Sequence, residues 1–334
     1  MVFGIEGLVP NAALTVVSLV ILVFGAEKLI DSLAALAKRI GVSDIFIAVT
    51  LVSIGTSLPE ISAHVIGSLK ILANPNNVEL YRITSSAVLG GNIGSDVVQQ
   101  TLVVGLVVLG MGGLTFKKDF LKHQYSVMVG TTLLTWILCV DGVISRLDGL
   151  VLLGAFIAYM YFLWREKSHV IYEREARRKS ENVPKDILVI LIGLSCIVVG
   201  AHVALSGTET LVEATGLGGS FIGVVTLGIA AALPEMFTAI SGLRHKAAGI
   251  SLGTLIGSNI TNPLLGIGLG SLISTYWTPA PLYLWDLPME TITAGLLLVY
   301  LFFHHEKLGR LGGLYLIGLY VFYIVVRFMF FAVD

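Results

Sequence analysis

A chain of 334 residues that is 55% hydrophobic and only 13% charged carries about half the ~25% charged residues of a soluble domain. With a mean hydropathy of +0.89 it reads as a polytopic helical membrane protein. A transmembrane barrel is excluded because it would show short alternating segments, and the net charge of −1 gives no footing for nucleic acid.

Apolar windows of about 20 residues predict ten spans, near 12–36, 42–70, 83–111, 122–140, 146–164, 186–206, 219–243, 247–274, 289–304 and 309–331. The first 27 residues hold no Lys or Arg, so no cleavable signal peptide is expected. Cys139 and Cys196 both lie in apolar runs and read as buried packing residues, outside any disulfide framework or metal site. The one plainly polar stretch runs from Arg165 to Lys185 and is rich in Arg, Lys and Glu. It divides the chain into a five-helix unit (1–164), a basic linker (165–185) that can touch anionic lipid, and a second five-helix unit (186–334). Placing the N-terminus outside puts 17 of the 21 Lys and Arg on the inner side. By the positive-inside rule this predicts an integral, multi-pass protein of a prokaryotic cell membrane, with a cytoplasmic linker and both termini outside.

Five helices per unit is an odd number, so the second unit must enter the membrane inverted. The residues repeat accordingly. At an offset of 175, Gly25-Ala26, Gly41, Phe46, Leu58-Pro59-Glu60 and Gly67 match Gly200-Ala201, Gly216, Phe221, Leu233-Pro234-Glu235 and Gly242. At an offset of 163, Leu89-Gly90, Ile93-Gly94-Ser95 and Gly105 match Leu252-Gly253, Ile256-Gly257-Ser258 and Gly268. The fold expected is thus all-α, ten transmembrane helices as two inverted five-helix repeats.

An acidic residue at the centre of a membrane helix costs roughly 2.5–3.5 kcal/mol on insertion scales. Pro beside it removes a helix hydrogen bond and here frees the carbonyls of Gly55 and Ala230. Broken backbone at membrane depth is tolerated only where it lines a cavity or is buried in protein. Two such places in matching half-chains point to a cation pathway at the midplane, with Glu60 and Glu235 facing each other. Close carboxylates repel, and a cation between them relieves that. Ca²⁺ takes six to eight oxygens, and Glu60, Glu235, the freed carbonyls, Thr56, Ser57, Asn92 and Thr254 can supply them. Gly90, Gly91, Gly94, Gly253 and Gly257 let backbones approach closely, while Gly105 and Gly268 read as packing alone.

Ser53-Ile54-Gly55-Thr56-Ser57-Leu58-Pro59-Glu60, followed by Gly90-Gly91-Asn92-Ile93-Gly94-Ser95-Asp96, resembles the first alpha-repeat of the calcium/cation antiporter superfamily. Leu233-Pro234-Glu235 with Leu252-Gly253-Thr254-Leu255-Ile256-Gly257-Ser258-Asn259-Ile260 resembles the second. Within that superfamily the chain looks most like the prokaryotic sodium/calcium exchangers. The resemblance implies that Glu60 and Glu235 are the central ligands, joined by Thr56, Ser57 and the carbonyls of Ser53 and Gly228. It also implies that the first and sixth spans slide to alternate access. The Gly-Asn-Ala-x-Glu motifs of the proton-coupled branch are missing, which favours sodium. The chain departs from the family at Ala230-Ala231-Ala232, where Gly-Thr-Ser is usual, at Thr254, where Asp is common, and at Asp96, where Asn is usual.

Other polar groups carry two readings each. Asp96 is a third acid near the pathway or a partner for a backbone N–H. His64, one turn after Glu60, bonds that carboxylate, shuttles a proton or makes an unrelated polar contact. One of Gln99 and Gln100 is expected to face the cavity. His202 and His304-His305 are expected near membrane edges.

The function expected is a secondary antiporter exchanging Na⁺ for Ca²⁺ by alternating access across the lipid bilayer. It would carry those ions, and H⁺ in the alternative, with no cofactor. The competing readings are a proton/divalent-cation antiporter, a channel and an intramembrane enzyme. Against the enzyme, the chain has no HExxH helix and no pair of intramembrane aspartates in a protease arrangement.

Overall fold

The computed structural model describes residues 53–165, 182–236 and 248–334, together with residue 239 and isolated positions between 13 and 32. Most of the first predicted span, the start of the second, the end of the seventh and most of the linker lie outside the described residues. The rest is helical where apolar windows predict helices. A short segment α1 (Ser53–Thr56) leads into α2 (Leu58–Ala73), with Ser57 between them. Then come α3 (Val78–Met111), α4 (Ser126–Cys139), α5 (Arg146–Arg165) and α6 (Val183–Thr215). They are followed by α7 (Gly219–Met236), α8 (Ala248–Thr261, continued to Ile273), α9 (Leu282–Phe303) and α10 (Arg310–Phe331). Among the described residues, α3, α7, α9, α10 and Arg146–Leu163 of α5 are long and apolar enough to cross a membrane.

Two helices outrun their apolar windows furthest. α6 continues nine residues past 206 because its polar end is satisfied. Glu209 pairs with Lys70 of α2 and accepts the Thr84 hydroxyl of α3 (2.8 Å), and the helix ends where Gly216 turns left-handed (φ 68°). α9 begins at 282, seven residues earlier than expected, because its acidic Asp286 is neutralised by Arg327 of α10.

Four two-residue strands tie the helix ends together. β1 (Leu114–Thr115) pairs antiparallel with β4 (Lys307–Leu308), and β2 (Val143–Ile144) with β3 (Tyr276–Trp277).

The glycine-rich stretch of α3 packs directly on the first half of α7. A Cβ on Gly90 would stand 2.2 Å from the Ser220 carbonyl oxygen, and one on Gly223 2.3 Å from that of Ala87. Only glycine permits so close an approach. Gly105 does the same against Gly313 and Ile317 of α10, and Gly268 packs on Leu152 and Leu153 of α5, as packing residues. Cys139 is buried as expected, whereas Cys196 is only half-buried.

Candidate functional site

The two Pro-Glu steps adopt one backbone solution. At Ser57 the chain turns (φ −83°, ψ 2°), and at Ala232, 175 residues later, it turns again (φ −73°, ψ −8°). After each turn the helix restarts, with Ile61 N–H donating to the Ser57 carbonyl and Met236 N–H to that of Ala232, both at 3.0 Å. Proline at the second position has no N–H to lose there, and the glutamate that follows is delivered inward. Glu60 is 4% exposed and Glu235 0%. Each is held by a serine of the facing glycine-rich helix: Ser95 donates to Glu60 Oε1 (3.0 Å) and Ser258 to Glu235 Oε1 (2.9 Å). The two carboxylates lie within electrostatic reach of each other.

Around them oxygen donors gather. The Thr56 hydroxyl is 3.2 Å from that of Ser258 and also reaches the Glu235 carboxylate. Asn92 donates through Nδ2 to the Asn262 carbonyl (3.0 Å). Asn262 donates in turn to Asp96 Oδ1 (2.8 Å) and reaches Glu60 Oε1 (3.4 Å). Ser57 Oγ, Glu60 Oε2, Asn92 Oδ1, Glu235 Oε2 and Asn262 Oδ1 are all buried without a hydrogen-bond partner. Buried polar atoms are rarely left so, and five orphaned oxygens with two carboxylates among them are of the type that a hard cation accepts as ligands. Among the described residues, no three His, Cys, Asp or Glu side chains gather as a metal site. The donors here are carboxylates, hydroxyls and amides.

Glu60, Glu235, Thr56, Ser57, Asn92 and Asp96 are thus brought together. Ser53 opens α1, and Thr254 lies on α8 with its side chain outside those described. The Gly228 carbonyl already accepts the Ala232 N–H (3.1 Å), and Gly228 packs against the backbone of Gly91 and Ser95. Asp96 bonds an asparagine amide rather than a backbone N–H. His64 does not bond Glu60. Its Nδ1 is 3.2 Å from the Tyr276 hydroxyl, which also bonds Ser68 (2.6 Å) and the His64 carbonyl (3.0 Å). Gln99 and Gln100 are both buried, and His202, His304 and His305 are exposed.

Asn262, Asn259 and Glu290 are part of this polar interior and were given no role from sequence, and Gln99 joins them. Asn259 Nδ2 donates to Gln99 Oε1 (2.9 Å), while Gln100 Nε2 donates to Asn259 Oδ1 (2.8 Å) and Glu290 Oε1 (3.1 Å). The signal was available for the amides: Gln99 and Asn262 stand 163 residues apart, the spacing of the helix repeat, as polar residues in apolar runs.

A cavity opens beside Glu60, between Pro59, Asn92, Leu227 and Ala230 on one side and Ala201 and Ala204 of α6 on the other.

Comparison with known proteins agrees with this geometry. The family model for sodium/calcium exchanger proteins matches residues 11–165 and 185–329. Inner membrane protein YrbG of Escherichia coli strain K12 is 28% identical over 273 residues, covering 78% of this chain and 79% of that one. Sodium/calcium exchanger MaX1 of Methanosarcina acetivorans is 25% identical and covers 95% of this chain and 98% of its own. A solved structure of the sodium-calcium exchanger NCX_Mj, soaked with Na⁺ and Sr²⁺, superposes with a TM-score of 0.64 at 25% identity, covering 96% of this chain and 99% of that one.

Proposed function

Because the chain belongs to the sodium/calcium exchanger protein family, a family of membrane cation antiporters, we propose that it exchanges Na⁺ for Ca²⁺ by alternating access. Ca²⁺, the transported substrate, binds between Glu60 and Glu235. The observation that carries the reading is the pair of serine-braced, buried carboxylates with unpartnered oxygens around them. A bare pair of buried carboxylates is strongly disfavoured, so the protein crosses between its two faces loaded with one cation species or the other. That is the physical root of obligatory exchange.

The residues divide the work. Glu60 and Glu235 supply charge, and Ser95 and Ser258 orient them. Thr56, Ser57, Asn92 and Asn262 supply neutral oxygens. The carbonyls of Ser53 and Gly228 and the Thr254 hydroxyl complete the set. Ala230 and Ala231 line the cavity where the first half has Gly55 and Thr56, so the second half contributes fewer oxygens.

Two inverted units, 1–164 and 186–334, joined by a linker at 165–185, account for the pairing seen. Exchanging the halves maps β1·β4 onto β3·β2 and the Asn262–Asp96 hydrogen bond onto Asn259–Gln99. The orientation with both termini outside gains support from the four basic residues that it leaves on the outer side. Each has a structural partner: Lys70 has Glu209, Arg327 has Asp286, Arg82 lies over the Trp277 ring, and Arg146 bonds the Ile273 carbonyl.

The test is radioactive calcium uptake into proteoliposomes under an imposed Na⁺ gradient, then under an imposed pH gradient at equal Na⁺. Uptake driven by Na⁺ supports the reading. Uptake driven by pH alone moves the chain to proton/divalent-cation antiport, and uptake without any countergradient moves it to a channel.

A further inference from the structure

Beyond the central pair, two more carboxylates without a basic partner are sunk in the helix bundle. Asp96 lies on α3, one turn past Asn92, and Glu290 lies on α9, which the repeated motifs do not reach. They are 1% and 3% exposed. The hydrogen bonds that hold them come from amides: Asn262 Nδ2 to Asp96 Oδ1 (2.8 Å) and Gln100 Nε2 to Glu290 Oε1 (3.1 Å). Each bond uses one carboxylate oxygen. Gln100, 4% exposed, turns its N–H₂ to Glu290 and Asn259 and leaves its own Oε1 buried without a partner.

No basic side chain compensates this pair among the described residues. The buried cation nearest in sequence register is Arg327, and both of its contacts at 3.0 Å go to Asp286, one turn before Glu290 on α9. Asp96 is within electrostatic reach of Glu290 first, and then of Glu60 and Glu235. Two uncompensated carboxylates and an orphaned amide oxygen are hard oxygen donors, and Gln100, one turn past Asp96 on α3, bonds Glu290 directly.

We propose that Asp96, Glu290 and the Gln100 amide oxygen form a second cation subsite beside the Glu60–Glu235 pair, and that its ligand is a monovalent ion, Na⁺. The amide N–H groups of Asn262 and Gln100 already offset part of the negative charge, so one further positive charge completes the compensation. A divalent ion is drawn instead to the central pair, where more oxygens are free. Asn262 joins the two sites, since its N–H₂ bonds Asp96 and reaches Glu60. Occupancy of the subsite therefore steadies the carboxylate that holds the substrate, and adds one Na⁺ to the set that drives exchange. The inference rests on the exchange reading above.

The experiment uses the purified full chain in proteoliposomes, with Glu290→Gln and Asp96→Asn as variants. Two quantities are read: the Hill coefficient for Na⁺ in Na⁺-driven calcium flux, and calcium/calcium self-exchange without Na⁺. The subsite predicts that each variant lowers the Hill coefficient by about one, since that coefficient is bounded by the number of coupled sites, while self-exchange persists. Unchanged Na⁺ cooperativity in both variants overturns the proposal. So does loss of self-exchange, which would place these residues in the divalent site. So does unchanged cooperativity with loss of pH dependence, which would mean a proton site. Asn is the usual family residue at position 96, so Asp96→Asn decides alone should Glu290→Gln not fold. Absence of self-exchange in the unmodified protein would instead remove the exchange reading itself.

Discussion

The close seam between α3 and α7 positions half of the site, and a single methyl group tests it. A Cβ on Gly90 would stand 2.2 Å from the Ser220 carbonyl oxygen and 2.9 Å from two further backbone atoms. Ordinary contact begins at 3.4 Å, so Gly90→Ala must part the two backbones by about 1 Å, because no flexible side-chain end is there to yield. Overpacking of this kind typically costs about 1–3 kcal/mol. It also moves Ser95 away from Glu60, because α3 carries that serine. Gly130 of α4 is the control, since a Cβ there meets nothing within 4 Å. Gly130→Ala is expected to be neutral or to gain up to about 1 kcal/mol from helix propensity. The assay is thermal unfolding in detergent for both variants, followed by calcium flux. Equal stability and equal flux in Gly90→Ala and Gly130→Ala would refute the seam.

Thr56→Ala removes a hydroxyl from the Glu235–Ser258 cluster and is expected to weaken the Na⁺ dependence of flux severely. Ala231→Thr, which adds an oxygen donor to the poorer half, is expected to raise apparent Na⁺ affinity, and the Na⁺ titration of calcium flux reads both. Tyr276→Phe strands the Nδ1 of His64 and leaves Ser68 only its bond to the Gly270 carbonyl, so it is expected to lower stability by about 1–3 kcal/mol. It should leave Na⁺ and Ca²⁺ dependence alone, as measured by melting and flux on one preparation. Lowering the pH at fixed Na⁺ is expected to slow calcium efflux, because protons and cations compete for the same carboxylate oxygens. A pH jump on loaded vesicles reads this.

The buried pair of glutamates was legible because its cost is written into the chain. Pro-Glu twice in apolar runs at a fixed offset has few explanations other than a lined cavity, and both glutamates are found buried with matching serine partners. Helix positions followed from apolar length, except where long-range pairing extended them. Glu209 lengthened α6 through Lys70, and Asp286 lengthened α9 through Arg327. Window reading counts such charges as helix ends, because their neutralising partners lie far away in sequence. For His64 the unrelated polar contact is the reading that holds. Helical spacing put it on the face of Glu60, but the hydroxyl that holds it belongs to Tyr276, in a strand 212 residues on. Glu290 gave no sign at all, since α9 lies outside the repeated motifs and only the fold brings it to Gln100.

The most direct test of the central claim is Na⁺-driven calcium flux by Glu60→Gln and Glu235→Gln, each purified, shown to be folded and reconstituted at matched density. Gln keeps the shape and the serine hydrogen bond but removes the charge that holds a divalent ion. The account predicts that either variant abolishes flux while its melting stays close to that of the unmodified protein. Near-normal flux from either one would contradict it.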